Sequence, residues 1–97
     1  MTTKVIGLIQ INDPEAFEIY RSQVSATVAL YRGNIIARGA FNTFLWNELE
    51  HEPFDAFVEL EFPDIEHSQA WTKSPEYRSL LAIRSQAMKL TLFSVST

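Results

Sequence analysis

Hydrophobic and polar residues alternate along four segments of the chain, and this alternation predicts four strands. In segment 54–62, FDAFVELEF, every second residue is apolar, whereas Glu59 and Glu61 share the opposite face. Segments 5–11 and 88–95 are rich in aliphatic residues on both faces. We expect a longer strand over 35–49, with a bulge or a close backbone approach near Gly39.

Two other segments follow a helical period. From residue 14 to 31, large apolar residues recur every three or four positions (Phe17, Tyr20, Val24, Val28 and Tyr31). Gly33 is expected to close this helix in the left-handed conformation. A second helical segment spans 64–87. It is interrupted at Ser74-Pro75, because Asp64 and Ser74 are favourable N-caps and Pro75 suits a first helical position.

The resulting order, β-α-β-β-α-β, predicts an α+β ferredoxin-like domain with a four-stranded antiparallel sheet. Both helical segments would cover one face of that sheet. The first and last strands of the sequence are apolar on both of their faces, and a sheet of this kind needs cover on both faces. We therefore expect a homodimer in which two copies of the chain pack sheet against sheet.

Length, composition and charge exclude several classes of function. The 97 residues suffice for a single domain over 1–97, and 46% of them are apolar. The net charge of −4 argues against nonspecific nucleic-acid binding. The chain has no cysteine, no apolar run of membrane-spanning length and no signal-like N-terminus, so we expect a cytoplasmic protein without a membrane contact.

Several short blocks, in this order and spacing, resemble the DUF1330 family of small bacterial proteins. They are Asp13-Pro14, Tyr20, Arg38-Gly39, Glu61-Phe62-Pro63 and Ser74-Pro75-Glu76-Tyr77. The family's function is uncharacterised. The resemblance implies a dimeric α/β barrel, in which two ferredoxin-like sheets form a barrel with the helices outside. Relatives in that superfamily include cofactor-independent monooxygenases, haem-degrading enzymes, lactone isomerases and stress proteins without established chemistry.

Arg38 is the first candidate for chemistry, because it is a charge in an otherwise apolar strand beside Gly39. Its guanidinium could hold a carboxylate or an enolate oxygen by a bidentate contact. The alternative is a cross-strand ion pair with Glu59 or Glu61. Glu61 could serve as a general base if it is buried, or it could be solvated or salt-bridged.

The helical segments carry the remaining candidates. Tyr20 lies on the apolar stripe of the first helix, and Tyr77 and Arg84 lie on a stripe of the last one. If both stripes face the sheet, these three side chains converge on the helix–sheet cavity in which the superfamily places ligands. The alternative is that Arg84 extends to solvent and caps its helix.

The histidines and Trp71 are weaker candidates for a functional site. His67 and Trp71 are four residues apart on one helical face and could line a pocket, or His67 could be exposed while Trp71 packs. His51 lies in an acidic turn and is expected to be solvated. Because no partner histidine stands at ligand spacing, we predict no metal site. The chain also has no glycine-rich phosphate loop, and we predict no cofactor.

Together these patterns favour a small homodimer that binds an oxygen-bearing organic molecule between sheet and helices. Its chemistry would be a cofactor-independent oxygenation or isomerisation. We predict Arg38, Glu61 and Tyr77 as catalytic residues and Tyr20, Trp71 and Arg84 as ligand-binding residues. The alternative is a noncatalytic dimer that binds a ligand, responds to stress or contacts another protein.

Overall fold

The computed structural model describes residues 2–97, which form four strands and four helices. The order along the chain is β1 (Thr3–Ile11), α1 (Pro14–Leu30), β2 (Asn34–Ala40), β3 (Ala56–Phe62), α2 (Ile65–Lys73), α3 (Pro75–Arg78), α4 (Leu81–Ala87) and β4 (Met88–Ser96). None of the helices within 2–97 has both the length and the apolar character needed to cross a membrane.

The four strands form one antiparallel sheet in the order β2-β3-β1-β4, as the ferredoxin-like prediction requires. One face, which we call the covered face, packs against the helices and contains the core residues Val5, Ile9, Leu60 and Phe62. The other face, called the open face, has no helix over it within residues 2–97. It presents β1 residues such as Leu8 and β4 residues such as Phe93.

The second predicted strand is too long. β2 ends at Ala40, which pairs with Ala56, and residues 41–55 form a loop that we call the β2–β3 loop. The aromatic residues expected in strands, Phe41, Phe44 and Phe54, instead pack on one another with ring centroids 4.4 to 5.9 Å apart. Mutual packing of side chains therefore replaces backbone pairing here.

The bulge in β2 lies at Ile36 and not near Gly39, since Ile35 pairs with Leu60 and Ala37 already pairs with Glu59. The close contact at Gly39 is with a side chain and not with the backbone as predicted, because a Cβ added there would lie 2.7 Å from the ring of Phe57 on the neighbouring strand. The extra residue at Ile36 reverses the facing of every β2 residue that follows it.

The first helix begins as predicted and ends one residue differently. The Asp13 carboxylate accepts hydrogen bonds from the amides of Glu15 and Ala16. At the other end Arg32, rather than Gly33, adopts the left-handed conformation (φ 64°), and the amide of Gly33 donates to the carbonyl of Val28. Gly33 is constrained by space instead, because a Cβ there would lie 2.6 Å from Phe62.

The second helical segment is divided at Ser74, as its capping pattern predicts. The Ser74 hydroxyl accepts from the amide of Tyr77, and the Asp64 carboxylate accepts from the amide of His67 at the start of α2. A second division at Ser79–Leu80 separates α3 from α4. These breaks bring Trp71 and Tyr77 together, with ring centroids 4.5 Å apart.

Candidate functional site

A cavity of about 610 Å³ lies between α1 and the covered face of the sheet. Its walls are mainly apolar. The polar side chains that reach its lining are Glu18, Tyr20, Arg21, Arg38 and Asp55. A cavity of this size and character, with few polar groups, is typical of a site for a small organic molecule.

Tyr20 comes from α1 and belongs to a chain of three polar side chains. Its hydroxyl lies 2.9 Å from the hydroxyl of Tyr77, and Nη1 of Arg84 donates to the same Tyr77 oxygen at 2.9 Å. Both tyrosines are buried, and Arg84 is half-buried with its guanidinium 5.7 Å from the centre of the Tyr77 ring. Tyr20, Tyr77 and Arg84 therefore meet as predicted and Arg84 bonds inward, but Tyr77 and Arg84 do not belong to the lining of the cavity, which only Tyr20 of the three reaches.

The direction of these hydrogen bonds follows from what each group can donate. Arginine only donates, so the Tyr77 oxygen accepts from Arg84. Within residues 2–97 the Tyr77 hydrogen then has one acceptor, the Tyr20 oxygen. Tyr20 lines the cavity and Tyr77 does not, so a hydrogen left over on Tyr20 can meet an acceptor there, whereas one left over on Tyr77 would stay buried without an acceptor, which is costly. The hydrogen of Tyr20 is thereby left for the cavity that Tyr20 lines.

Tyr20 is a donor to the cavity and not a base. Burial, together with the neighbouring Tyr77 hydroxyl, raises the pKa of Tyr20 well above its ordinary value. Its phenol therefore keeps its proton at neutral pH and offers a hydrogen bond to an acceptor oxygen of whatever occupies the cavity.

Arg38 reaches the cavity because of the bulge at Ile36. Past the bulge Arg38 pairs with Val58, a covered-face residue, and it joins the lining of the cavity. Among residues 2–97 no carboxylate forms an ion pair with Arg38. The predicted alternative, in which Arg38 pairs with Glu59 or Glu61, is wrong because those two residues lie on the open face.

Glu61 is separated from the other candidates by the sheet itself. Glu59 and Glu61 share the open face, and both contact Lys4, with Nζ–Oε2 distances of 3.1 and 3.2 Å. Grouping Glu61 with Arg38 and Tyr77 in one site is therefore wrong within a single chain. The salt-bridged alternative describes Glu61 correctly.

Trp71 and His67 separate in the way that the alternative interpretation predicts. Trp71 is 1% exposed, and its indole N–H donates to the hydroxyl of Thr27 at 3.0 Å. Its ring also belongs to the cavity wall. His67 is half-exposed, and its Nδ1 lies 2.6 Å from the Asp64 carboxylate. Trp71 is thus a core residue that adjoins the cavity, whereas His67 belongs to a helix cap.

The remaining polar groups of the cavity were not predicted from the sequence. Nη1 of Arg21 lies 2.9 Å from the carboxylate of Glu18, one turn away on α1. The Asp55 carboxylate accepts from the amide of Ile11 at 2.8 Å. Both carboxylates therefore have partners. The i,i+3 spacing of Glu18 and Arg21 is visible in the sequence, but it does not reveal that the pair borders a cavity.

The described residues offer no obvious place for a metal ion. No group of three or more His, Cys, Asp or Glu side chains within 2–97 is arranged to hold one.

Comparison with known proteins gives a family and a fold. The family model "Domain of unknown function (DUF1330)" matches residues 4–97. No curated protein matches the chain.

Solved structures with the same fold include both uncharacterised proteins and an enzyme. A protein of unknown function from Rhodopseudomonas palustris is 18% identical, with a TM-score of 0.76 over 97% of this chain and 80% of its own. A dimeric ferredoxin-like protein of unknown function from Thermobifida fusca is 20% identical, with a TM-score of 0.69 over 100% and 92%. SnoaB, a cofactor-independent oxygenase from Streptomyces nogalater, is 10% identical, with a TM-score of 0.69 over 99% and 92%. At these identities the likeness shows the fold alone.

Proposed function

The chain belongs to the DUF1330 family, and we propose that it binds a small, partly apolar molecule carrying an acceptor oxygen in the cavity between α1 and the sheet. The observation that carries this proposal is the place of Tyr20, which lines the cavity and ends the hydrogen-bonded chain that runs from Arg84 through Tyr77. An acceptor such as a carbonyl, carboxylate or enolate oxygen would complete that chain.

Arg38 also indicates the charge of the ligand, which should be negative. Its guanidinium has no carboxylate partner within residues 2–97, whereas Arg21, which also lines the cavity, is paired with Glu18. A negative oxygen on the ligand would give Arg38 a charge-assisted hydrogen bond. The proposed ligand therefore has an apolar body and carries carboxylate or enolate character.

The chemistry that such a site would support is a cofactor-independent oxygenation or isomerisation. Arg38 and Tyr20 would stabilise negative charge that develops on the ligand oxygen. The oxygenase SnoaB has the same fold, which makes this reaction class a reasonable one to test.

Binding without catalysis is the second candidate, and one observation favours it. Glu18 and Asp55, the carboxylates of the cavity lining, already have partners, and Tyr20 keeps its proton. The described lining therefore has no free general base. Incubation of a bound probe in air-saturated buffer, followed by mass spectrometry, separates the two candidates, because an unchanged probe supports binding alone.

The ligand proposal is tested with phenols, lactones and short carboxylic acids, each acid paired with its primary amide. A bound probe raises the unfolding temperature by mass action. Tyr20→Phe should weaken binding about 3- to 10-fold, the value of one neutral hydrogen bond. Arg38→Met should weaken the acids about 10- to 100-fold and their amides much less.

Matched controls are available on the same elements or nearby. Tyr31 also lies at α1, but its hydroxyl donates to Glu76, so Tyr31→Phe should leave probe binding unchanged. Arg78→Met removes an exposed cation from α3. If no probe binds, or if the Tyr20 and Arg38 variants bind every probe as well as these controls, the proposed site is incorrect.

We also propose that two copies of the chain form a homodimer through their open faces, with a dimeric α/β barrel as the result. The charged residues of the open face, Lys4, Lys89, Glu59 and Glu61, sum to zero, so two such faces can meet without net repulsion. The Thermobifida fusca neighbour is itself described as dimeric. Light scattering should give twice the 11.1 kDa of one chain, and a mass of one chain would contradict the proposal.

A further inference from the structure

The β2–β3 loop (residues 41–55) presents three large apolar side chains almost entirely to solvent. Leu49 is 96% exposed, Leu45 88% and Trp46 84%. Single exposed apolar residues are ordinary on a protein surface, but three within five consecutive positions form a patch. Exposed apolar patches are typical of surfaces that bind another molecule.

The loop holds this patch in a fixed conformation. The Asn47 side chain both donates to the carbonyl of His51 and accepts from its amide, each at 3.0 Å. Glu50 takes the left-handed conformation (φ 57°) that this turn needs. Beneath the turn lies the aromatic cluster of Phe41, Phe44 and Phe54. A rigid loop that keeps apolar side chains exposed is already organised for binding.

The loop also borders the open face of the sheet. A second cavity of about 850 Å³ lies between them, with Trp46 and Leu49 of the loop on one side. Its floor is made by open-face residues of β1 and β4, among them Leu8, Thr91 and Phe93. Glu48, Glu50 and Glu52 of the loop and Lys89 of β4 also line this cavity, so the surface that runs from the sheet to the loop is mainly apolar with charges along it, and one partner could cover both.

We propose that the β2–β3 loop of one chain packs against a second copy of the same chain. The contact would lie at the edge of the dimer interface that the open faces form. The continuity with the open face carries this choice, because whatever covers that face also meets the loop. The proposal rests on the open-face homodimer proposed above. It adds that the loop, and not the sheet alone, supplies binding energy for dimerisation.

The test measures the dimer dissociation constant by sedimentation velocity over a dilution series of the full chain. Trp46→Ser should weaken the dimer about 30-fold or more, because buried tryptophans are typical interface hot spots. Leu49→Ser should weaken it about tenfold. Leu30→Ser is the matched control, since Leu30 is 65% exposed on α1, and it should leave the constant unchanged.

Two further measurements separate the possible failures. Val95→Ser changes the open face outside the loop cavity and tests the dimer independently of the loop. Acrylamide quenching reports on Trp46, because the other tryptophan, Trp71, is buried in the monomer. If the loop meets a second copy, the accessible tryptophan fluorescence of the wild type should fall as the dimer forms.

Each outcome decides the matter. A dimer weakened by the Trp46 and Leu49 substitutions but not by Leu30→Ser supports the loop contact. A dimer weakened only by Val95→Ser overturns the loop contact and leaves the open-face dimer standing. A wild-type chain that stays monomeric at high concentration overturns both, and the loop would then face water or a different partner.

Discussion

The two faces of this sheet use polar side chains in different ways. In the helix layer over the covered face, the polar groups of Tyr20, Tyr77 and Trp71 are buried, and hydrogen bonds run from Arg84 through Tyr77 to Tyr20 and from Trp71 to Thr27. On the open face they are charged and half-exposed, as in the contacts of Lys4 with Glu59 and Glu61. The first arrangement fixes where hydrogens point, whereas the second balances charge.

This difference assigns different tasks to the two faces. A buried hydroxyl must have partners, so the covered face can present one defined donor to a cavity. An exposed ion pair contributes little to stability, but it keeps charge compatible with an approaching surface. We therefore expect substitutions on the covered face to alter folding or ligand binding. Substitutions on the open face should alter association first.

The two tryptophans give the largest expected contrast. Trp71→Ala should lower the free energy of unfolding by about 3 to 5 kcal/mol, because it empties a buried ring site and leaves the Thr27 hydroxyl without its donor. Trp46→Ala should change the unfolding of the monomer by less than about 0.5 kcal/mol. Urea denaturation at one low protein concentration measures both values.

A milder variant keeps this prediction testable if Trp71→Ala does not fold. Trp71→Phe keeps most of the ring volume and should cost less than Trp71→Ala, so a folded variant remains for measurement if the alanine variant does not fold. Equal losses for Trp71→Phe and Trp46→Ala at low concentration would contradict the difference between the faces.

The covered face was also the more predictable one from sequence. The alternation of Val58, Leu60 and Phe62 identified their common face, and the helical stripes of Tyr20, Tyr77 and Arg84 predicted their convergence. These patterns succeed because burial imposes a regular period on the chain. The hydrogen-bond direction could not be read in the same way, since it depends on the three-dimensional order of the groups.

Two details escaped the sequence for physical reasons. A bulge adds one residue without any required residue type, so nothing in NIIARGA shows that Arg38 turns to the covered face at Ile36. Phe41, Phe44 and Phe54 lie in segments whose hydrophobic pattern predicts strands. Their rings pack on one another instead, and these residues belong to the β2–β3 loop. Strand propensity reports a tendency to pack and does not guarantee a partner strand.

Substitution of Arg84 should have an effect of intermediate size on stability. Arg84 sets the direction of the hydrogen bonds that run from it through Tyr77 to Tyr20. Arg84→Met removes the donor to Tyr77 and should cost about 1 kcal/mol of stability, since the arginine is only half-buried. It should also weaken the binding of a cavity probe, because the Tyr77 hydrogen is no longer directed at Tyr20. Thermal unfolding and probe titration measure the two effects separately.

Arg84 acts as a positioning residue in this scheme, and a conservative variant tests that role. Arg84→Lys keeps a donor and should restore part of the probe affinity. Arg78→Met, on the exposed side of α3, should change neither quantity. Loss of stability without any change in probe binding would show that Arg84 only packs.

The smallest expected effect lies on the open face and appears at high pH. Hydrogen bonds from Lys4 to Glu59 and then Glu61 raise the pKa of Lys4 above its ordinary value of 10.5. A raised folded-state pKa contributes stability that is present below the unfolded pKa and is lost as pH rises through the folded one. The wild type should therefore lose a small increment of stability above about pH 10.5, and Lys4→Met should lack that increment.

Lys89→Met is the matched control, because Lys89 shares the open face but forms no ion pair with any of residues 2–97. Tyrosine ionisation in the same pH range affects all three proteins alike, so the difference between variants isolates Lys4. Urea midpoints at pH 9 to 11.5, at low protein concentration, should converge for the wild type and Lys4→Met as pH rises. Parallel curves would mean that the Lys4 contacts contribute nothing measurable, and the open face would then be organised by its apolar residues alone.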